Sequence, residues 1–368
     1  MKLSKFAFPT TIHFGPGSRK LVAEHLASVG VKRPLIVTDK GMAALPIVNE
    51  FASSLRSSQI FSGVQGNPVA SQVMAGAAAY KAHKADAVIG FGGGAALDVA
   101  KAVALMAAHP GEVLEYAWDH PKARPMDREL PHFIALPTTA GTGSEVGRSS
   151  VISEEDTHVK RILFSPKLLA KAVFADPELT LGLPPAITAA TGMDALTHNI
   201  ESYLSPAYHP LCDGIALEGV RIAARALPRA FKNPSDIEAR SDMLMASMMG
   251  AIAFQKDLGA VHSCAHALST VADLHHGLAN GIMIDHVMRF NEPAAKEKMA
   301  ELARVAGEKD LVSWLTRLKA ELGIPAKLSV GKDKIPRLVE IAVADICHQT
   351  NPRPCKAEDF ERIFAGAM

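Results

Sequence analysis

The chain has 368 residues, 48% hydrophobic and 21% charged, with 39 basic against 38 acidic side chains and a formal net charge of +1 at pH 7. So even a balance leaves no electrostatic footprint for nucleic acid or an anionic membrane, and the length exceeds one ordinary domain, so two domains with two cores are expected. Cys212, Cys264, Cys347 and Cys355 form no C-x-x-C pair, Met1-Lys2-Leu3-Ser4-Lys5-Phe6 lacks the apolar core of a signal peptide, and no eighteen consecutive residues are apolar. The expected setting is the cytoplasm.

From about Arg33 to Asp176 short apolar runs alternate with helical patterns. Residues 34–38, 86–91 and 132–136 read as buried strands, and the alanine-rich stretches 69–83 and 95–108 are long enough for crossover helices. This alternation predicts a parallel, doubly wound α/β domain over residues 1–180. After Asp176-Pro177, with Leu183-Pro184-Pro185 as a helix start, strand-like runs mostly disappear, and residues 213–227, 237–254 and 297–306 carry apolar side chains at helical spacing. An all-helical domain over residues 181–368 follows, with Met243, Met245, Met248 and Met249 as core packing.

The strand ending at Phe91 runs into Gly92-Gly93-Gly94 and then into the helix formers Ala95-Ala96-Leu97-Asp98-Val99-Ala100-Lys101. Glycine lets backbone approach a pyrophosphate, and the free N–H groups of a first helical turn donate to it. The triplet is neither the G-x-G-x-x-G fingerprint nor a Walker P-loop. Pro137-Thr138-Thr139-Ala140-Gly141-Thr142-Gly143-Ser144-Glu145, after another strand, offers hydroxyls for a second contact. Asp39, just past the strand 34–38, can accept from an adenosine ribose and would repel a 2′-phosphate, which predicts NAD(H) rather than NADP(H).

Asp194 and His198 stand four apart in Gly192-Met193-Asp194-Ala195-Leu196-Thr197-His198 and share a helical face. His262 and His266 repeat the spacing, and His275-His276-Gly277 follows. With His286, five of the chain's fifteen histidines fall within 25 residues. One carboxylate with imidazoles suits Fe²⁺, Zn²⁺ or a similar divalent ion, and no thiolate motif points to an iron–sulfur cluster or structural zinc. Spacing leaves open whether His262 or His266, and His275 or His276, is the ligand.

Together these segments resemble the iron-containing (group III) alcohol dehydrogenase family. The likeness also covers Ile12-His13-Phe14-Gly15-Pro16-Gly17, residues 261–280 and Asn351-Pro352-Arg353-Pro354. The resemblance implies a dehydroquinate-synthase-like architecture with the active site in a cleft between domains, and reversible oxidation of a small alcohol to its aldehyde or ketone. It further implies Asp194, His198, His262 and His276 as ligands of Fe²⁺ or another divalent metal, with His266 beside nicotinamide and substrate. Asp39, Gly93, Gly94, Ala95, Asp98, Thr138, Thr139, Thr142, Lys160 and Leu179 are implied as NAD contacts, Cys347 as a neighbour of the substrate channel, and a homodimer as the assembly. Two residues depart from the pattern: Ala95 replaces a serine, and Arg148 puts a cation where an acidic substrate would be attracted. The alternatives are a maleylacetate reductase-like reduction of an acidic keto substrate, a glycerol dehydrogenase, a dehydroquinate-synthase-like cyclase, a metallohydrolase needing no nucleotide, and a non-catalytic sensor.

Overall fold

A computed structural model describes Phe8 and residues 10–368; the N-terminal reading at Met1-Lys2-Leu3-Ser4-Lys5-Phe6 lies outside the described residues. The chain forms two compact units. One comprises residues 10–139 and Ser144–Thr180, and the other Phe8, Ala140–Gly143 and Leu181–Met368.

The first unit starts with β1 (Thr11–Phe14), α1 (Val22–Ser28), β2 (Pro34–Asp39), α2 (Lys40–Ala43), α3 (Pro46–Ser54) and β3 (Gln59–Val64). It continues through α4 (Ala70–His83), β4 (Ala87–Gly92), α5 (Gly94–Ala108), β5 (His132–Pro137), β6 (Ser149–Ser153), β7 (Lys160–Phe164) and β8 (Ala172–Ala175). Six strands make one parallel sheet in the order β1-β8-β5-β4-β2-β3, and β6 and β7 form an antiparallel pair. All six residues of central β4 are buried, which is why it reads as an unbroken apolar run rather than an alternating one. Ile36, Ile89, Phe91, Ile134, Leu136 and Phe174 build the core together with Val22 and Leu26 of α1 and Val48 and Phe51 of α3.

The fold class expected from the sequence is the one found. The strands of the parallel sheet that periodicity does not reveal are β1, β3 and β8, and the antiparallel pair β6 and β7 is missed as well. β1 and β3 are edge strands with partly exposed faces, and β8 is only four residues, Ala-Val-Phe-Ala, too short to show a period.

The second unit's helices are α6 (Pro185–Leu204), α7 (Pro210–Lys232), α8 (Ile237–Ala253), α9 (Ala260–Ala272), α10 (His276–Val305), α11 (Leu311–Glu321), α12 (Ile335–Ala344) and α13 (Ala357–Ala367). Central α6 packs against α7, α8 and α10, and α9 packs against α10 and α12. Sixteen of its twenty residues are buried, polar ones included, so α6 is where side-chain chemistry is held away from water. The helix expected at 297–306 is only the end of α10, which bends at Ala295 after Pro293 removes a backbone donor. Met243 and Met248 lie in the core as expected. Among the described residues no helix is long and apolar enough to cross a membrane.

Candidate active site

Three helices of the second unit bring four side chains together. Asp194 and His198 project from the buried face of α6, His262 from the first turn of α9 and His276 from the start of α10. Asp194 Oδ1 lies 3.6 Å from His276 Nε2, 3.8 Å from His262 Nε2 and 3.9 Å from His198 Nε2. Nitrogen or oxygen ligands of one tetrahedral first-row cation stand roughly 3.3–3.6 Å apart, so the His276 separation falls in that range, the other two lie slightly beyond it, and the donor types fit such an ion. The Asn280 amide supports the fit. Its Nδ2 donates to Asp194 Oδ1 at 2.7 Å and sits 3.3 Å from both His262 Nε2 and His276 Nε2, while its buried Oδ1 has no hydrogen-bond partner. Lone pairs of three residues thus converge on one electropositive group.

Local sequence explains the convergence. A Cβ on Gly277 would stand 2.4 Å from Ala190 O, so only glycine lets the first turn of α10 seat on the α6 backbone and set His276 beside Asp194. Burial pushes His198 down to about 4 against the pull of Asp194, which keeps the ring neutral at pH 7 with its lone pair available. Buried Glu201 accepts the Nδ1–H of His262 at 2.6 Å and the Val261 N–H at 2.7 Å, leaving His262 Nε2 as the bare nitrogen that faces Asp194.

The structure separates the histidines that spacing left open. His275 caps α10, accepting from Leu278 N at 3.4 Å, whereas His276 joins the cluster. His266 stacks on His276 with ring centroids 5.3 Å apart, and its Nδ1 lies 2.7 Å from Asp345 Oδ2. His266, Asp345 and Cys347 form a second group whose donor atoms lie within 4.8 Å of one another. The His266 imidazole beside Asp345, together with hydrogen bonds from Ser263 Oγ and the Cys347 N–H, holds its carboxyl well below the usual range despite burial, and the Cys347 thiol bonds to it as well.

In the α/β unit the turn Gly92-Gly93-Gly94 joins the end of β4 to the start of α5. Gly92 has φ +156° and a Cβ there would meet Ala96 Cβ at 2.7 Å; one on Gly93 would press on Thr139 at 3.2 Å. The turn is a cradle that side chains would fill, and it opens onto the N–H groups of α5 at Gly94, Ala95 and Ala96, which fits a pyrophosphate. Asp39 ends β2 and caps α2 with Oδ1, which accepts from Met42 N at 2.9 Å. Its Oδ2 faces the same turn, 3.9 Å from where a Gly92 Cβ would be.

Asp98 is held by hydrogen bonds from the protein. Its oxygens accept Ser144 Oγ–H at 2.6 Å and Val151 N–H at 2.9 Å, so the side chain braces the loop after β5. Thr138 is buried behind that loop, Lys160 opens β7, and Leu179 is a core residue. Thr142 lies in Ala140–Gly143, the segment that belongs to the helical unit. Arg148 rests over the Phe164 ring at 5.4 Å.

Four residues with evident roles escaped the sequence reading. Glu201 could have been found, because positions 194, 198 and 201 share a helical face, and so could Asn280, four residues after His276. Asp345 carries no such signal. Lys101 was visible only as part of a run; buried on α5, it donates to Ser144 O, Ser144 Oγ and Ser149 O at 2.6, 2.8 and 2.8 Å and fixes the loop from beneath.

Comparison with known proteins agrees over the whole described length. Residues 9–177 match the model of iron-containing alcohol dehydrogenases, and residues 188–368 the model of the C-terminal part of the Fe-containing alcohol dehydrogenase family. The chain is 38% identical to 4-hydroxybutyrate dehydrogenase of Cupriavidus necator, covering 98% of each, and 35% identical to 1,3-propanediol dehydrogenase of Klebsiella pneumoniae, covering 100% of this chain and 99% of the relative. Among solved structures it resembles sulfoacetaldehyde reductase of Bifidobacterium kashiwanohense in complex with NAD⁺, with TM-score 0.91, 28% identity and coverage of 100% and 99%.

Proposed function

Because the chain belongs to the iron-containing alcohol dehydrogenase family, we propose that it interconverts a short primary alcohol and its aldehyde, with NAD(H) as hydride carrier and one divalent metal. 4-Hydroxybutyrate and 1,3-propanediol both carry a terminal CH₂OH, and sulfoacetaldehyde is the aldehyde of such a group, which supports a primary carbinol as the reacting centre. The observation that carries the reading is that donor atoms of Asp194, His262 and His276 lie within 4.8 Å of one another, with His198 Nε2 3.9 Å from the same Asp194 oxygen. Asp194, His198, His262 and His276 would hold the metal, which when bound supplies Lewis acidity toward the substrate oxygen, and NAD⁺ supplies the hydride acceptor.

The residues of the chain do the rest. Glu201 fixes the His262 tautomer, the Gly92-Gly93-Gly94 turn would hold the cofactor's pyrophosphate, and Asp39 would accept from its adenosine ribose. In the oxidative direction Nε2 of His266 would take the hydroxyl proton as the O–H bond breaks, and bound NAD⁺ would supply the acceptor for the hydride that the carbinol carbon loses as C=O forms. The products are aldehyde, NADH and one proton, held on His266. A homodimer is the proposed assembly and the cytoplasm the proposed location.

The test is NADH oxidation by protein stripped of metal and reloaded separately with Fe²⁺ and Zn²⁺, against acetaldehyde, 3-hydroxypropanal and succinic semialdehyde. Activity that returns only with metal is expected. Full activity without metal on an acidic keto substrate would replace this reading with the maleylacetate reductase-like one.

A further inference from the structure

Asp345, just after α12, takes no part in the four-donor cluster, yet both its oxygens are committed, and to different tasks. Oδ1 accepts the Ser263 hydroxyl at 2.7 Å and the Cys347 N–H at 2.9 Å. The direction of the serine bond is fixed by a third residue: Ser263 Oγ itself accepts the His348 N–H at 2.9 Å, and the carboxylate has no proton to give back. Tying α9 to the turn Cys347–Thr350 therefore needs Oδ1 alone. Oδ2 faces His266 Nδ1 at 2.7 Å. Ser263 and His266 lie three residues apart on α9, so one carboxylate reaches both.

We propose that Asp345 is the positioning residue that keeps His266 in its Nδ1–H form and so leaves Nε2 bare to accept the alcohol proton. A carboxylate can only accept, which places the imidazole proton on Nδ1 and the free lone pair on the opposite nitrogen. The same division of labour holds in other carboxylate–imidazole pairs, where the acid orients the ring and never takes the proton. On proton transfer the Nε2–H bond forms as the substrate O–H bond breaks, and Asp345 then faces an imidazolium. The inference rests on the reading of His266 as proton acceptor.

Hydrogen-bond accounting makes the test sharp. In Asp345→Asn the two donors at Oδ1 hold the amide oxygen there, so the NH₂ faces His266 Nδ1 and drives the ring proton to Nε2. The isosteric variant thereby blocks the accepting nitrogen. Asp345→Ala removes every bond but leaves the tautomers free to exchange. In holoenzyme oxidising 1,3-propanediol or 4-hydroxybutyrate, kcat should fall about 100-fold or more in Asn, within the range of general acid–base catalysis, and about tenfold in Ala. KM for alcohol and NAD⁺ should stay within about threefold of wild type, and metal content and melting temperature should hold in Asn.

A purely structural Asp345 gives the reverse order, because Asn keeps the Oδ1 contacts and Ala loses them all. Asn faster than Ala, or loss of metal in Asn, overturns the inference. His266→Ala with Asp345→Ala should be no slower than His266→Ala alone; additive losses also overturn it, and this arm stands if the Asn variant does not fold. A wild-type rate in His266→Ala would instead remove the proton-acceptor reading itself.

Discussion

Replacing Glu201 by Gln should strip the chain of metal more thoroughly than replacing it by Ala. Glu201 is buried, with Oε1 on the Val261 N–H at 2.7 Å and Oε2 on His262 Nδ1 at 2.6 Å. The His262 backbone N–H also reaches Oε2, at 3.4 Å, so a glutamine has one acceptor oxygen for three donors, of which the Val261 N–H makes the shorter backbone bond. The backbone N–H keeps the oxygen, the NH₂ turns to His262, and the imidazole proton moves to Nε2, the nitrogen that stands 3.8 Å from Asp194 Oδ1. Loss of an outer hydrogen-bond partner commonly lowers metal affinity 10–100-fold, about 1.4–2.8 kcal/mol. Ala should fall near the lower end, since the ring regains its tautomer freely. Gln should exceed the upper end, because the ligand itself is lost. The assay is competition of Zn²⁺-loaded and, anaerobically, Fe²⁺-loaded protein against a chelator, with circular dichroism to confirm folding. A Gln variant that surrenders metal at the same chelator concentration as wild type would refute the argument, and so would Ala losing more than Gln.

Gly277→Ala places a Cβ 2.4 Å from Ala190 O and 3.2 Å from Asp194 Cβ, and backbone cannot rotate away; a stability loss of about 1–3 kcal/mol is expected by thermal melting, with metal per chain reduced by at least half. Asp39→Ala removes the charge that would repel a 2′-phosphate, so kcat/KM with NADP⁺ should rise at least about tenfold relative to NAD⁺; an unchanged ratio would separate Asp39 from cofactor choice. Burial pushes Glu145 up to about 7 from 4.5. The folded state therefore retains a proton that the unfolded chain has already lost between those values, and stability contributed by this group is full below about pH 4.5 and declines as pH rises to about 7, by about 3 kcal/mol. Glu145→Gln should abolish that decline and melt higher than wild type at pH 8, with a smaller difference at pH 5. Equal melting temperatures at both pH values would count against it.

What the sequence disclosed followed from local physics. Buried parallel strands advertise themselves as apolar runs, so β2, β4 and β5 were legible; β1 and β3, on the edges, were not, because almost all their residues are partly or fully open to solvent. Helical spacing paired Asp194 with His198, but the partnership of those two with His262 and His276 depends on how three helices cross, which spacing does not encode. The resemblance to a family named the four together; in the structure the donor atoms of Asp194, His262 and His276 lie within 4.8 Å of one another and His198 Nε2 stands 3.9 Å from Asp194 Oδ1. Asp345 was invisible for a further reason. It sits 79 residues from His266 and belongs to no periodic pattern. Asp98 stands in a recognisable motif, but its bonds from Ser144 and Val151, 46 and 53 residues on, are equally absent from any periodic pattern.

Four residues inserted from elsewhere in the chain have an evolutionary corollary. Ala140–Gly143 belong to the helical unit, where a Cβ on Gly141 would collide with Thr191 and one on Gly143 with Ser247 and Ala251. A breakpoint at Leu181 therefore does not cut this protein into two transferable modules. A recombinant that borrowed the helical half from a relative would receive the socket on α6 and α8 without its matching peg, which travels with the other parent. Substrate ranges in such a lineage are expected to diversify by point changes inside the helical half sooner than by exchange of halves, and chimaeras should regain stability when residues 140–143 are swapped along with it.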